Sequence, residues 1–538
     1  MATNLISTNF AGGVFEKTLT APQSTTNLIN DPYNGASEAE FDSSGNWDHY
    51  ANRNIAMNPH KAGEFVVVWE ETSGNTQVYA RVGQLSGTSV TWTTAPYNIR
   101  PYSVSTYSDP IIAFDLIVPH RFIVAYRYHS QSRWEVAPGS CEAGALWFGN
   151  IWQQGGSNNE YAMIGDVAAD PNVAGRFFVV GYNPHSSNKP YCMAFTVADG
   201  GNGVSINNYA VFYHGSGTNT GYDNKIAMDP HNIGKMVVIW SDAGANDVGK
   251  ARALTAGSSG GSISAVGSEM TFHSDGSSSG TQHLGIDFDP DTATKFIITY
   301  QDVRVADACK AIVGTLTNST GAIAVGAEAT FCADGGRTGV KFFPAQSYFP
   351  NKFIVTYRDA AAGAGKSRVG SHNGSTISWD SNEITYNTAA SGPMSPATHD
   401  HHLQGRFLIA FDEGGAKVIA GKMNSNTITI DLTLGNVFTV DFGAGTILGP
   451  ITTINVTGAT GTDTAHTFIL KVIQGTPSYQ IDWEALSAFK WQRYWNPPTG
   501  WIHRPTISTT NDTVDVYSFT TYDNGTTWYS SIVGQDIK

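Results

Sequence analysis

Apolar residues fall in short extended runs along most of the chain, and one kind of run returns seven times. A charged residue is followed by an aromatic or Met, three mostly β-branched or apolar residues, and usually a second aromatic. The copies are Phe65 to Trp69, Phe122 to Tyr126, Phe178 to Tyr182 with an extra Phe177, Met236 to Trp240, Phe296 to Tyr300, Phe353 to Tyr357 and Phe407 to Phe411. Successive copies start 57, 56, 58, 60, 57 and 54 residues apart. A repeat of this length is one supersecondary unit, and the number of units decides the architecture.

Each copy has the same surroundings. Ahead of it lies a short extended run and a turn, clearest at Ile226-Ala227-Met228-Asp229-Pro230, with relatives at Ile55 to Pro59, Val167 to Pro171 and Ile286 to Pro290. Asp-Pro between extended runs is a turn signal, because proline fixes φ and the aspartate caps the bend. After it come further runs such as Ala311 to Leu316 and Ile377-Ser378-Trp379, separated by Gly/Ser/Asn turns. Four hairpin-linked strands per unit are therefore predicted.

The second strand is apolar at nearly every position, as in Phe296-Ile297-Ile298-Thr299-Tyr300, which requires cover on both faces. Seven such sheets packed face to face predict an all-β fold, a seven-bladed β-propeller over residues 51–435. A linear solenoid is the competing arrangement, but its ends would need capping units, whereas a ring has none. Residues 1–50, with the extended segment Gly13 to Leu19, are read as a docking arm or as a strand closing the last blade. In the seventh unit Thr427 to Ile430 is taken as the fourth strand. From about Asn436 a different module begins, a β-sandwich-like unit over 436–538 with strands at Val437 to Asp441, Ile451 to Val456 and His466 to Gln474.

Composition narrows the class. With 57 Gly and only 14% charged residues, the chain is turn-rich with a large core. A net charge of -14 argues against nucleic acid as a partner, since phosphate binding needs clustered Lys and Arg. Met1 to Ser7 lacks the features of a secretory signal, and no stretch approaches the ~18 apolar residues of a membrane span. Synthesis in a cytoplasm, without membrane insertion, is expected. Cys141, Cys192, Cys309 and Cys332 show no paired zinc spacing and are read as free buried thiols.

The carboxy-terminal module carries a resemblance. Its order of Ile454-Asn455-Val456-Thr457-Gly458, an apolar strand ending Val472-Ile473-Gln474-Gly475, Phe489-Lys490-Trp491, Arg504 to Ser508, Asp515 to Phe519 and Gly525-Thr526-Thr527-Trp528-Tyr529 resembles a module at the C-termini of tailed-phage structural proteins. The blade repeat resembles propellers of marine phage virion proteins. The resemblance implies a non-enzymatic virion component, made in the host cytoplasm and displayed on the tail as a fibre or adhesin for host attachment, or else decorating the head. It brings no catalytic residues and no cofactor. The partners it implies are other virion proteins and a host surface glycan or receptor, with a homo-oligomer, a trimer favoured. A carbohydrate-binding protein and a polysaccharide depolymerase are the alternatives.

Several motifs suggest sharper chemistry and are read as structural. Thr521 to Trp528 fits the Asp-box of sialidases, a turn-stabilising motif present once. Ala360 to Ser367 nearly matches a phosphate-cradling loop, but Ala360 replaces the first glycine and no helix follows. His399-Asp400-His401-His402 collects metal-capable groups, yet it stands where other units have Asp-Pro. Asp287-Phe288-Asp289-Pro290-Asp291 has the oxygens of a calcium site but reads as strand and turn. No metal is assigned. For glycoside hydrolysis two carboxylates must face one sugar, and among 45 acidic residues spacing singles out no pair. The candidate contact residues are Tyr494, Trp495 and Trp501, large aromatics on a Pro/Gly loop suited to a sugar or a neighbouring protein.

Overall fold

The computed structural model describes residues 16–19, 38–42 and most of 53–537, loop segments such as 101–108, 154–162, 214–221, 345–350, 389–395 and 443–450 excepted. Seven antiparallel sheets follow one another along the chain and form a seven-bladed β-propeller. Blade 1 runs Ile55–Met57, Glu64–Glu71, Gln77–Ser86 and Ser89–Trp92, with Tyr97–Arg100 also pairing to its third strand. Blades 2 to 6 occupy residues 111–153, 163–213, 222–273, 281–332 and 335–387.

Residues two apart in a strand share a face, and this alternation builds the ring. In Glu64–Glu71, Val66 and Val68 pack with Ile112, Phe122 and Val124 of blade 2, whereas Phe65, Val67 and Trp69 pack with Leu408, Ala410 and Val418 of blade 7. The same sandwiching joins blades 2 and 3, 3 and 4, 4 and 5, and 5 and 6. The apolar second strands of blades 1 to 5 thus each lie between two others, as their sequence demands.

The seventh blade corrects the sequence reading. Its outer strand is Ala39–Asp42, which pairs antiparallel with Ala416–Lys422 beside Arg406–Asp412 and Thr398–His399. Phe41, 3% exposed, lies 5.3 Å from Trp69 and 6.1 Å from Trp92. Thr427 to Ile430, expected as this blade's fourth strand, belongs to Asn426–Asp431, which pairs in parallel with Ile451–Thr457 outside the propeller. Of the Gly13 to Leu19 segment, Gly13 to Phe15 lie outside the described residues, and Glu16–Leu19 joins a carboxy-terminal strand, Val437–Asp441, in parallel. The amino-terminal region therefore supplies both a closing strand and a docked one, and the second unit begins before residue 436.

That second unit has its own core. A six-stranded mixed sheet runs Glu16–Leu19, Val437–Asp441, His466–Ile473, Val514–Thr521, Trp528–Ile537, Phe489–Trp491. His466–Ile473 and Val514–Thr521 alternate buried and partly exposed residues, so one face carries Phe468, Leu470, Val472, Tyr517 and Phe519 into a cluster with Trp483, Phe489 and Trp528.

Six blades, all but the sixth, reuse one turn between their first two strands. The amide at the Asp position bonds the carbonyl at the start of the second strand, as from Asp115 to Arg121, Asp229 to Lys235 and Asp400 to Arg406. The residue before that strand is left-handed, and it is glycine in four blades, Gly63, Gly175, Gly234 and Gly405. Where the second strand starts with Phe, the residue opposite is usually glycine, and a Cβ at Gly83 would lie 2.2 Å from Phe65 Cζ.

Candidate functional site

The first strands of all seven blades line an axial cavity of about 500 Å³. Equivalent positions around it are Ala56, Ala113, Ala168 and Ala227, then Asp287, Lys341 and Thr398. The wall is thus smooth on one side and polar on the other. One position beyond each capping residue stands the rim, Pro59, Leu116, Pro171, Pro230, Pro290, Pro344 and His401. The Asp-Pro turns of the sequence form this mouth.

Arg53 forms the inner end. Its Nη1 donates to the carbonyl of Val167 at 3.3 Å, and its Nη2 donates to those of Ile226 at 3.2 Å and Ile286 at 3.4 Å. These carbonyls occupy equivalent places in blades 3, 4 and 5, so one guanidinium from the segment before blade 1 stoppers the axis. Its Nε lies 2.9 Å from Asp166 Oδ1. Asp166 is buried, and burial outweighs Arg53 and Lys225 in raising its carboxyl above the ordinary range.

The polar wall is largely self-satisfied. Lys341 Nζ donates to Asp287 Oδ1 at 3.0 Å, and Asp287 Oδ2 accepts the Phe342 amide at 2.8 Å. A charged pair that cancels internally favours small polar or neutral occupants over ions.

The four residues at 399–402 disperse. His399 is buried against Phe343, ring centroids 4.2 Å apart, and burial followed by Lys341 pushes its imidazole down to about 3, so it is neutral. Asp400 Oδ2 accepts the Gly63 amide of blade 1 at 2.6 Å, and its Oδ1 accepts the His402 amide. His402 Nε2 lies 3.1 Å from the Pro59 carbonyl. His401 is exposed to solvent at the rim, yet the concave protein surround and then Lys341, His402 and His60 lower its pKa. Asp400 is thus the turn cap of blade 7 and the clasp from blade 7 to blade 1.

The remaining motifs resolve as turns. Asp289 Oδ1 accepts the Asp291 amide while Oδ2 lies 2.8 Å from His372 Nε2, so Asp287 and Asp289 serve different partners. In Ala360 to Ser367, Lys366 donates to Asp359 and Glu383, and Asp359 Oδ1 accepts the Ala362 amide. Asp523 Oδ1 accepts both Thr521 Oγ1–H and the Thr527 amide at 2.8 Å, with Trp528 buried beneath.

Two carboxylate pairs stand near tyrosines, and each has a lysine between its members. Lys310 bridges Asp302 at 2.7 Å and Glu328 at 3.1 Å, while Tyr300 donates to Glu328. Blade 6 repeats this with Lys366, Asp359, Glu383 and Tyr357. Hydrogen bonds from Tyr300, His273 and Lys310 outweigh burial and hold Glu328 below the ordinary carboxylate range. The two sets repeat one arrangement in successive blades, a lysine held between two carboxylates beside a tyrosine.

Tyr494–Asn496 and Gly500–Ile502 form a separate antiparallel hairpin in which Trp495 stands opposite Trp501 and Tyr494 opposite Ile502. Residues 497–499 of its loop lie outside the described residues. Trp483 and Trp528 are core, and Trp491 packs against them. Sequence reading missed two features. One is Arg53, whose only signal is an arginine where blades 2 to 4 have Pro110, Gly165 and Asn224. The other is a polar cluster at the junction of blades 1 and 2, whose members lie far apart in the chain.

No protein-family profile and no curated protein sequence matches the chain. Among solved structures, a lectin, BP39L from Burkholderia pseudomallei, is 11% identical, with a TM-score of 0.50 over 71% of this chain and 98% of that chain. A putative 6-phosphogluconolactonase from Bacteroides uniformis is 9% identical, with a TM-score of 0.43 over 62% and 85%. The β-propeller domain of the Trilobed protease from Pyrococcus furiosus is 8% identical, with a TM-score of 0.37 over 69% and 95%. The likeness to the lectin is one of fold, a propeller of the same general build.

Proposed function

We propose that this protein is a non-enzymatic structural component of a bacteriophage virion, displayed on the tail, in which the propeller is a rigid platform and the carboxy-terminal unit makes attachment contacts. The observation that carries it is the stoppered, self-neutralised axis. Arg53 closes the inner end and Lys341 pairs with Asp287, and away from the axis the carboxylate pairs of blades 5 and 6 are bridged by lysines. Among the described residues these arrangements give rigidity in place of acid–base chemistry. Placement in a virion rests on the resemblance of the carboxy-terminal module. That unit, where the six-stranded sheet and the Asn426–Asp431/Ile451–Thr457 pair enclose one core, is taken as sandwich-like, with the Trp495/Trp501 hairpin as its contact element.

Mass spectrometry of purified particles, with labelled antibody and electron microscopy to locate the chain, tests this. The protein is expected among the particle proteins at the tail, a head location would replace fibre with decoration, and absence from particles would reject the proposal. A glycan array with the wild type and a Trp495→Ala/Trp501→Ala variant tests the attachment role.

A further inference from the structure

We propose that Glu64, His120 and Cys141 form a zinc site at the junction of blades 1 and 2. One ligand atom from each residue lies within 4.8 Å of the others. Glu64 is 2% exposed and Cys141 is fully buried.

The repeat shows what is unusual here. At the next junction Asp115 accepts two bonds from Arg121, at 2.9 and 2.6 Å, and one from the Gly175 amide at 2.7 Å. Backbone bonds fix the equivalence. Asn58 N reaches Glu64 O as Asp115 N reaches Arg121 O, and Cys141 N reaches His120 O as Val197 N reaches Gly175 O. Asp115, Arg121, Gly175 and Val197 are thus replaced by Asn58, Glu64, His120 and Cys141. The Glu64 position is basic in the other six blades, as Arg121, Arg176, Lys235, Lys295, Lys352 and Arg406.

These departures depend on one another sterically. A Cβ at Gly175 would lie 2.2 Å from the Val197 carbonyl oxygen and 2.8 Å from Arg121 Nη2, and one at Gly234 2.6 Å from the Ala256 carbonyl oxygen and 3.1 Å from Arg176 Nη2, so the arginine adds to a backbone crowding. The shorter glutamate makes room for an imidazole. His120 adopts φ 66, a conformation glycine takes without strain, and its Nδ1 is buried without a hydrogen-bond partner. Thr294 and Asn351 share that φ in blades 5 and 6, so the orphaned nitrogen is what sets His120 apart.

The surroundings suit a cation. Lys61 Nζ already sits 2.5 Å from Glu64 Oε2, and Asn58 Nδ2 holds Oε1 at 2.8 Å, an outer partner that fixes a ligand's orientation. Cys141 Sγ donates to Glu64 Oε1 at 3.4 Å. Tetrahedral zinc places N, O and S donors roughly 3.3–3.6 Å apart, so a modest inward rotation of the three side chains completes the shell. Thiolate, imidazole and carboxylate together favour zinc over the harder magnesium or calcium. On binding, the thiol proton passes to solvent, Lys61 swings to the water it already partly faces, and a water takes the fourth position.

The test uses the full chain, stripped with chelator and titrated with Zn²⁺ and with Co²⁺. One equivalent of either is expected, the cobalt form showing a near-ultraviolet sulfur-to-metal absorption. His120→Gly and Cys141→Val carry residues that other blades use at these positions, and Glu64→Gln is nearly isosteric, so circular dichroism should report a native fold for each. Cys141→Val should abolish the sulfur band, and each variant should weaken binding by at least about a hundredfold. No stoichiometric binding by the wild type would overturn the site. So would unchanged affinity in the variants, which would assign the metal to other groups.

Discussion

Arg53 and Asp166 meet at 2.9 Å in the neck of the propeller, the one from the segment before blade 1 and the other from blade 3. The pair links blades that are not neighbours in sequence. Arg53→Leu should open the axis and leave the Asp166 carboxylate buried with only Lys225 nearby. Breaking a buried pair from one side costs about 3 kcal/mol or more. A fall in the urea midpoint of the propeller unit checks this, and Asp166→Asn in the same chain should recover part of it.

The same pair sets a pH dependence. Burial raises the Asp166 carboxyl above its ordinary 3.8, so the folded state binds that proton more tightly than the unfolded chain. Its contribution to stability is therefore lost as pH rises from the ordinary value through the raised one. Arg53→Leu should steepen that loss, and Asp166→Asn should flatten it, in denaturation curves recorded from pH 4 to pH 8.

Gly83→Ala and Gly314→Ala place a methyl 2.2 and 2.1 Å from the rings of Phe65 and Phe296. Neither ring has room to retreat, because each is fully buried between blades. Overpacking of this kind costs about 1–3 kcal/mol, read as a lower melting temperature.

Phe41→Ala should destabilise the ring by about 3–5 kcal/mol, the usual loss on truncating a buried aromatic. Limited proteolysis should then cut blade 7 before any other blade.

Asp523→Ala should release the Thr527 amide, seen as faster hydrogen exchange there. Bonds from the Thr527 amide and the Thr521 hydroxyl depress the Asp523 carboxyl. Its support for the turn is therefore present above the ordinary carboxylate pKa and lost as pH falls through the depressed value.

The ring was legible because its physical cause is written locally. Phe296 to Tyr300 and its six relatives cannot be apolar on both sides unless like packs against like. Asp-Pro marked the turns, and those prolines proved to be the rim. The outer strand of blade 7 was not legible, since Ala39-Glu40-Phe41-Asp42 has no pattern of its own and only its partner, Ala416–Lys422, makes it a strand. Thr427 to Ile430 alternates like a blade strand, and alternation does not name the sheet. At the axis, Arg53, Asp287 and Lys341 lie 54 or more residues apart in sequence, and no spacing rule joins them. His399 to His402 are close in sequence yet diverge in space, for the opposite reason.

Closure by Ala39–Asp42 also imposes an order of assembly. Lys417 holds Glu38 across a sequence separation of 379 residues, so the last sheet cannot finish until nearly the whole propeller has been synthesised. A gap that large is entropically expensive to bridge and slow to find. Six blades and the early segment Ala39–Asp42 must wait, with an apolar flank bare, for the strands Arg406–Asp412 and Ala416–Lys422 that are made after them.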